Sequence, residues 1–284
     1  MKFKFSKKRI LLFTFIITMA VILSSYVYIS DNTAIINLPK NIIPIDQGTT
    51  VSYLVKIPGG YLMFDTGYEN DFYKMLQIIN KKNIKIDQIK YLLLSHHHDD
   101  HVGYIAKLLE AQPSLKIIVH EKTITLLASG KNNTKNGGGI VNPIIYTLFR
   151  IKQFITPEWT LTFSPFNVRS QDIVLQEDFI ELPAEVGIKA FVAYTPGHTS
   201  DSISLIIDNK YLLCGDLSSN FLNWAGAKHL TLFNENIIEV YKSWEKVISM
   251  DVKYVVPSHG KPFRIERLKN NLYKYTQEDL VKFF

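Results

Sequence analysis

Residues 95–103 read Ser-His-His-His-Asp-Asp-His-Val-Gly, so every one of positions 96–101 is histidine or aspartate. Inside the run, the spacing His96-x-His98-x-Asp100-His101 offers imidazoles and a carboxylate, the donors a borderline divalent ion such as zinc prefers. A polar, histidine-rich surface turn is the bland alternative. It leaves unexplained why matching groups recur far along the chain. The run follows Tyr91-Leu92-Leu93-Leu94, an apolar stretch that reads as a short buried strand carrying the ligand groups at its C-terminal end.

Four other apolar runs end in the same manner. Residues 61–64 lead into Asp65-Thr66-Gly67, and residues 190–194 into Thr195-Pro196-Gly197-His198. Residues 211–214 lead into Gly215-Asp216, and residues 252–256 into Pro257-Ser258-His259. Strand ends that converge on one rim are how sheet folds assemble a site from distant sequence.

In order and in residue type, Asp65, the His96-x-His98-x-Asp100-His101 run, His198, Asp216 and His259 resemble the five signature motifs of the metallo-β-lactamase-fold hydrolase superfamily, in its glyoxalase II and lactonase-like branch. The resemblance covers roughly residues 46–262. It implies an α/β fold: an αββα sandwich of two mixed sheets with outer helices and a metal centre on one edge. It further implies that His96, His98 and His198 hold one divalent ion and that Asp100, His101 and His259 hold a second. Asp216 would bridge the two, with Asp65 hydrogen-bonded behind the ligands. His97 and Asp99, at the x positions, are then not ligands, and Asp99 is expected to face solvent.

The implied cofactor is a pair of divalent metal ions, zinc first, with manganese or iron(II) as the alternatives. Two ions about 3.5–4 Å apart lower the pKa of a shared water toward neutrality, which makes hydroxide available to attack a carbonyl or phosphoryl centre. Asp216 is implied to orient that nucleophile and Asp100 to pass a proton to the leaving group, which makes these two the catalytic candidates. Penicillin-destroying zinc enzymes resembling this fold commonly carry a cysteine where Asp216 stands, or no acid there. An aspartate at that position is the pattern of thioesterases, lactonases and phosphodiesterases, so a β-lactamase is disfavoured. Cys214, inside an apolar run, is expected to pack as a small hydrophobe.

The elements that must position these groups are legible in outline. Residues 51–57 and 61–64 around Pro58-Gly59-Gly60 read as a β-hairpin, and residues 202–207 and 211–213 around Asp208-Asn209-Lys210 as another. Phe72, Met75, Leu76 and Ile79 have helical spacing, as do Ile238, Tyr241, Trp244 and Ile248. A helix is expected over residues 102–109, a strand over 115–119 and a short helix over 121–128. His120 is expected to be a structural histidine.

Composition bounds the rest. The chain has 284 residues, 46% hydrophobic, enough for one large α/β domain over residues 31–284. Its single cysteine permits no intramolecular disulfide. Of the net +6, five charges come from Lys2, Lys4, Lys7, Lys8 and Arg9, which leaves +1 for the other residues. No basic stripe with interleaved aromatics is visible, so nucleic acid is not an expected partner.

Residues 10–29 carry no charge, and twenty helical residues span the ~30 Å hydrocarbon core of a bilayer. Residues 1–30 are therefore expected to be a transmembrane anchor with the catalytic domain outside the cytoplasm, since the flanking positive charges stay inside. The alternative is a cleaved signal followed by secretion, for which Ser24 or Ser25 offers a weak site.

The segment at about 130–185 lies outside the motifs. It opens with a polar, glycine-rich loop and continues through residues 140–155, apolar nearly all round. Such a helix is normally buried; a lid over the metal cleft or a lipid-facing surface is the sharper reading. Residues 220–229 are expected to border the site; Asn223, Trp224 and His229 are within that loop, but none is assigned to substrate. Three functions compete: hydrolysis of an ester, thioester or lactone in a small-molecule or lipid-like substrate; cleavage of a phosphodiester in lipid head groups or nucleotides; and metal binding without catalysis. The apolar segment favours the first.

Overall fold

Strand side chains alternate between two apolar environments, and that alternation builds the layers. In the Val51–Ile57 strand, Tyr53, Val55 and Ile57 join one buried cluster while Leu54 joins another. The same split separates Leu62 and Phe64 from Met63, Leu93 from Leu92, and Leu205 and Ile207 from Ile206. Strands buried on both faces show as continuous hydrophobic runs, as these do in the sequence.

The computed structural model describes residues 36–133, 137–155 and 160–282. It contains two six-stranded mixed sheets. The first runs in the order Ile42–Asp46, Val51–Ile57, Gly60–Phe64, Ile89–Leu93, Lys116–His120 and Ile173–Leu175, antiparallel across the first three strands and parallel thereafter. The second runs Phe263–Arg264, Tyr254–Val256, Tyr211–Leu213, Ile203–Ile207, Ala190–Tyr194 and Phe179–Glu181, with a single parallel pair between Tyr211–Leu213 and Tyr254–Val256.

Tyr53, Phe64 and Leu93 from the first sheet meet Val192, Leu205 and Val256 from the second in a shared core. The outer face of the first sheet is covered by the helices Phe72–Lys81 and Ile105–Ala111 through Met75, Ile79 and Leu108. The helix Ile237–Ser249 covers the second through Val240, Trp244 and Val247. The layering is helix, sheet, sheet, helix, as expected.

Both hairpins form, and the second turns at Asp208 and Asn209 with φ of 55° and 49°. Asn236 caps the Ile237–Ser249 helix by accepting from Ile238 N at 3.1 Å and Glu239 N at 3.2 Å. Of its expected apolar face, Tyr241 and Trp244 are buried and Ile248 packs partly buried on the same core, joined by Ile237, Val240 and Val247, while Ile238 is half exposed.

The helix expected over residues 102–109 is instead two, Asp99–Val102 and Ile105–Ala111, with Gly103 at the break. A Cβ at Gly103 would lie 2.5 Å from both Asp99 O and Glu69 N, so the backbones of two loops are in contact there. A second departure concerns residues 130–185, which are only partly an addition to the sandwich. Ile173–Leu175 and Phe179–Glu181 are edge strands of the two sheets, and Gly139–Ile140 is the middle of a small third sheet with Phe233–Asn234 and Val281–Lys282.

No helix among the described residues is long and apolar enough to cross a membrane. Residues 10–29 lie outside the described residues.

Trp244 is fully buried and donates from Nε1 to Leu217 O at 2.9 Å. Trp244→Ala should cost about 3–5 kcal/mol, read as a lower urea midpoint. An unchanged midpoint would mean that this helix does not close the second sheet.

Candidate metal centre

Five strand ends of the two sheets bring the predicted residues together. Asp65 follows Gly60–Phe64, the His96–His101 run follows Ile89–Leu93, and His198 follows Ala190–Tyr194. Asp216 follows Tyr211–Leu213 and His259 follows Tyr254–Val256. The turn before Asp216 needs a glycine: Gly215 has φ +51°, and a Cβ there would lie 2.4 Å from Ser95 Oγ.

The ligand atoms fall into overlapping groups, each within 4.8 Å: His96, His98 and His198; His96, His101 and Asp216; Asp100, His101 and His259. His198 Nε2 lies 3.2 Å from His96 Nε2 and 3.0 Å from His98 Nδ1. Asp216 stands between the groups, with Oδ2 3.6 Å from His198 Nε2 and Oδ1 3.5 Å from His101 Nε2 and 3.3 Å from His259 Nε2. Asp100 Oδ2 lies 3.2 Å from His259 Nε2.

The hydrogen bonds behind the rings assign their tautomers. His198 Nδ1 donates to Phe233 O at 2.8 Å, and His259 Nδ1 donates to Thr49 O at 2.8 Å. His101 Nδ1 donates to Asp65 Oδ2 at 2.9 Å. Ser95 Oγ gives its proton to Asp65 Oδ2 at 2.7 Å, so it accepts from His96 Nδ1 at 2.9 Å. In the neutral rings, the inward nitrogens of His96, His101, His198 and His259 are therefore all lone pairs. They face one another and two carboxylates, an arrangement that repels itself unless a cation sits among them. His101 Nε2 and Asp216 Oδ1 are buried without an aligned hydrogen bond, although they are close to opposite charge. A divalent ion fits this donor set.

Protonation separates the two groups. Burial, followed by the neighbouring imidazoles, holds His96 and His98 well below the ordinary histidine value. His198 is lowered too, because burial outweighs the Asp216 carboxylate. Around His101 burial acts downward, but Asp100, Asp216 and Asp65 together raise it to about 9. His259 is raised well above its usual value, as Asp216 and Asp100 overcome its burial. Both carboxylates are correspondingly lowered against their burial, Asp100 by His101 and His259, Asp216 by His259 and His101. Without an ion, protons do the neutralising at this second group.

Several neighbours differ from expectation. Asp99 is buried, with Oδ1 accepting from Asn132 Nδ2 at 2.7 Å, so it does not face solvent. His97 is also buried, and both of its nitrogens are committed: Nδ1 donates to Asp201 Oδ1 at 2.9 Å and Nε2 accepts from Asn133 N at 3.0 Å. Trp224 lines the cleft above the centre. Asn223 instead accepts from His229 N, and His229 packs on Phe263, so neither lines it. His120 stacks on Tyr194, and Cys214 is buried in the core. The motif pattern does not point to the supports Ser95, Thr49 O, Phe233 O and Asp201. Backbone carbonyls carry no residue-type signal, whereas Ser95 stands directly beside the motif.

Residues 45–259 match the family model described as the Metallo-beta-lactamase superfamily, and the chain belongs to that superfamily. It is 24% identical over 217 residues to a Beta-lactamase-like protein 2 homolog of Drosophila melanogaster, covering 75% of this chain and 59% of that protein. It is 26% identical over 205 residues to a Hydroxyacylglutathione hydrolase of Shewanella loihica, covering 72% and 58%. The chain thus spans less than two thirds of the length of these relatives. Its fold is similar to that of BJP-1, a subclass B3 metallo-β-lactamase of Bradyrhizobium japonicum, with a TM-score of 0.57 at 18% identity over 79% of this chain and 76% of that one. At that identity the likeness speaks for the fold alone.

Two outcomes test the centre. Zinc loading near neutral pH should release protons, because His101 is raised to about 9 and must lose its proton to bind an ion. The release should shrink as pH rises through that value, as read by calorimetry in buffers of different ionisation enthalpy. Separately, His98→Ala should lose bound zinc. His97→Ala should keep it but unfold more easily, by about 1–3 kcal/mol, since Asp201 is left without its partner. Equal zinc loss in the two variants would sink the ligand assignment.

Proposed function

We propose that this chain is a metal-dependent hydrolase of carboxylic esters, thioesters or lactones with apolar acyl groups. The observation that carries this reading is the cleft of about 410 Å3 at the metal centre, onto which His98, Asp100, His198, Asp216 and His259 open. The helix Pro143–Ile155 contributes Ile145, Leu148 and Phe149 to its wall, and the loop after Asp216 contributes Phe221, Leu222 and Trp224. Among the described residues, Lys152 is the one lysine or arginine in the lining. Beyond the ions themselves, which would serve an acyl or a phosphoryl centre alike, the described wall is chiefly carbon, and that suits an apolar group beside the reacting one.

In this reading His96, His98 and His198 hold one divalent ion, and Asp100, His101 and His259 hold another, with Asp216 between them. Bound there, the ions supply Lewis acidity and a water of lowered pKa. Asp216, with one oxygen toward each group, holds the attacking water in line. Asp100, at the edge of the cleft, carries a proton to the leaving group. The Shewanella relative is named for hydrolysing hydroxyacylglutathione, which agrees with an acyl substrate.

A lipid-like substrate is supported by the outer side of the Pro143–Ile155 helix, where Ile144, Ile151, Phe154 and Ile155 are exposed. The uncharged run at residues 10–29 supports a membrane anchor with the domain outside the cytoplasm. N-terminal sequencing of the mature protein separates that from cleavage and secretion.

The zinc-reconstituted full-length protein should hydrolyse long-chain lactones or thioesters and leave a phosphodiester intact, with His98→Ala as the blank. Phosphodiester turnover alone would move the function to head-group or nucleotide cleavage. No turnover of either substrate by metal-loaded protein would favour metal binding without catalysis.

A further inference from the structure

Tyr68 stands on the cleft wall with Asp100, Asp216 and His259. Its backbone is tied to the loop that carries the ligands. Thr66 N donates to His101 O at 2.7 Å, and Gly103 N donates to Gly67 O at 3.1 Å. Asp71 Oδ2 accepts from Tyr68 N at 3.1 Å, which fixes the other side of the turn. The close approach at Gly103 involves Gly67 O and Glu69 N, the neighbours on either side of Tyr68, at 2.7 and 2.5 Å from a Cβ built there. Tyr68 is therefore placed by the same backbone that places His101.

Lys152 Nζ lies 5.8 Å from the centroid of the Tyr68 ring, while the hydroxyl makes no hydrogen bond to any described residue. Tyr68 is only partly buried, so its hydroxyl is open to the cleft and to a bound substrate. A phenol ordinarily ionises about three units above neutral pH, so the hydroxyl has a proton to donate.

We propose that Tyr68 is a catalytic hydrogen-bond donor, its hydroxyl meeting the acyl oxygen of the substrate as that oxygen gains negative charge. The proposal rests on the acyl-hydrolase reading above. In the reaction, the oxygen of water bonds to the acyl carbon, the bond to the alkoxide or thiolate breaks, and the departing group takes the proton from water. Tyr68 keeps its own proton throughout and shortens one hydrogen bond. A rigidly placed donor aimed at developing charge is worth more in a water-poor cleft than in solvent.

Tyr68→Phe removes one oxygen and leaves the ring in place. In zinc-loaded full-length protein it should lower kcat by about 10²–10³-fold while KM, bound zinc and urea midpoint stay at the wild-type values. An alkyl phosphonate, which mimics the tetrahedral anion, should bind the variant more weakly, and the product alcohol should bind both proteins equally. Wild-type kcat in the variant, or loss of its zinc, overturns the proposal. Phosphonate binding unchanged by the substitution overturns it too, even if the wild-type protein hydrolyses no ester; that last result would separately remove the acyl-hydrolase reading.

Discussion

A single buried carboxylate holds the architecture of the centre. Asp65, with no exposed surface and φ of 59°, accepts from Ser95 N at 2.6 Å, Ser95 Oγ at 2.7 Å and His101 Nδ1 at 2.9 Å. Ser258 Oγ approaches the same carboxylate at 3.4 Å. Ser95 closes a strand of the first sheet and Ser258 follows a strand of the second, so the contact joins strand ends from both. A carboxylate taken out of water without partners costs many kcal/mol. Asp65 is tolerable only where those donors converge, and their convergence brings the ligand loop, its serine and the far sheet to one place.

From Asp65 the consequences run outward through tautomers. His101 is obliged to present Nε2 because its other nitrogen is engaged. Ser95, having spent its proton on Asp65, obliges His96 to do the same. Phe233 O and Thr49 O impose the same choice on His198 and His259. Four rings then point lone pairs inward beside Asp100 and Asp216, and only cations make that arrangement favourable. Protons serve at His101 and His259, where carboxylates raise affinity for them; at His96 and His98 burial opposes protonation. The protein thus stores unfavourable electrostatics in the centre that a divalent ion relieves.

The parts of this arrangement that were legible beforehand are those written in residue types. Histidines and acids at the ends of apolar runs marked the strand ends, and the continuous apolar character of those runs marked strands buried on both faces. The parts that were not legible depend on backbone geometry. Nothing in Gly103 announces that two loops touch there and divide a helix, since glycine is common beside helices for other reasons. At the start of the Ile237–Ser249 helix, apolar Ile237 and Ile238 are adjacent, and only the sheet decides that Ile237 is covered and Ile238 is half exposed. Asp99 looked like a solvated charge, yet Asn132, from a loop 33 residues away, satisfies it. His97 is likewise decided by Asp201, 104 residues distant, which no local pattern can reveal.

The small third sheet links the candidate metal centre to the apolar wall of the cleft. Phe233 pairs with Ile140 across that sheet, and Val141 N donates to Leu232 O at 3.1 Å. Ile140 lines the cleft and leads directly into the helix that carries Ile145, Leu148 and Phe149. On the other side of the ladder, Phe233 O is the acceptor that orients His198. The apolar wall and a metal-facing imidazole are therefore set by one short run of backbone. A change in the Pro143–Ile155 helix that disturbed Ile140 would reach His198 through Phe233. Cleft wall and candidate ligand geometry are mechanically joined here, although the two lie far apart in the sequence and carry unrelated residue types.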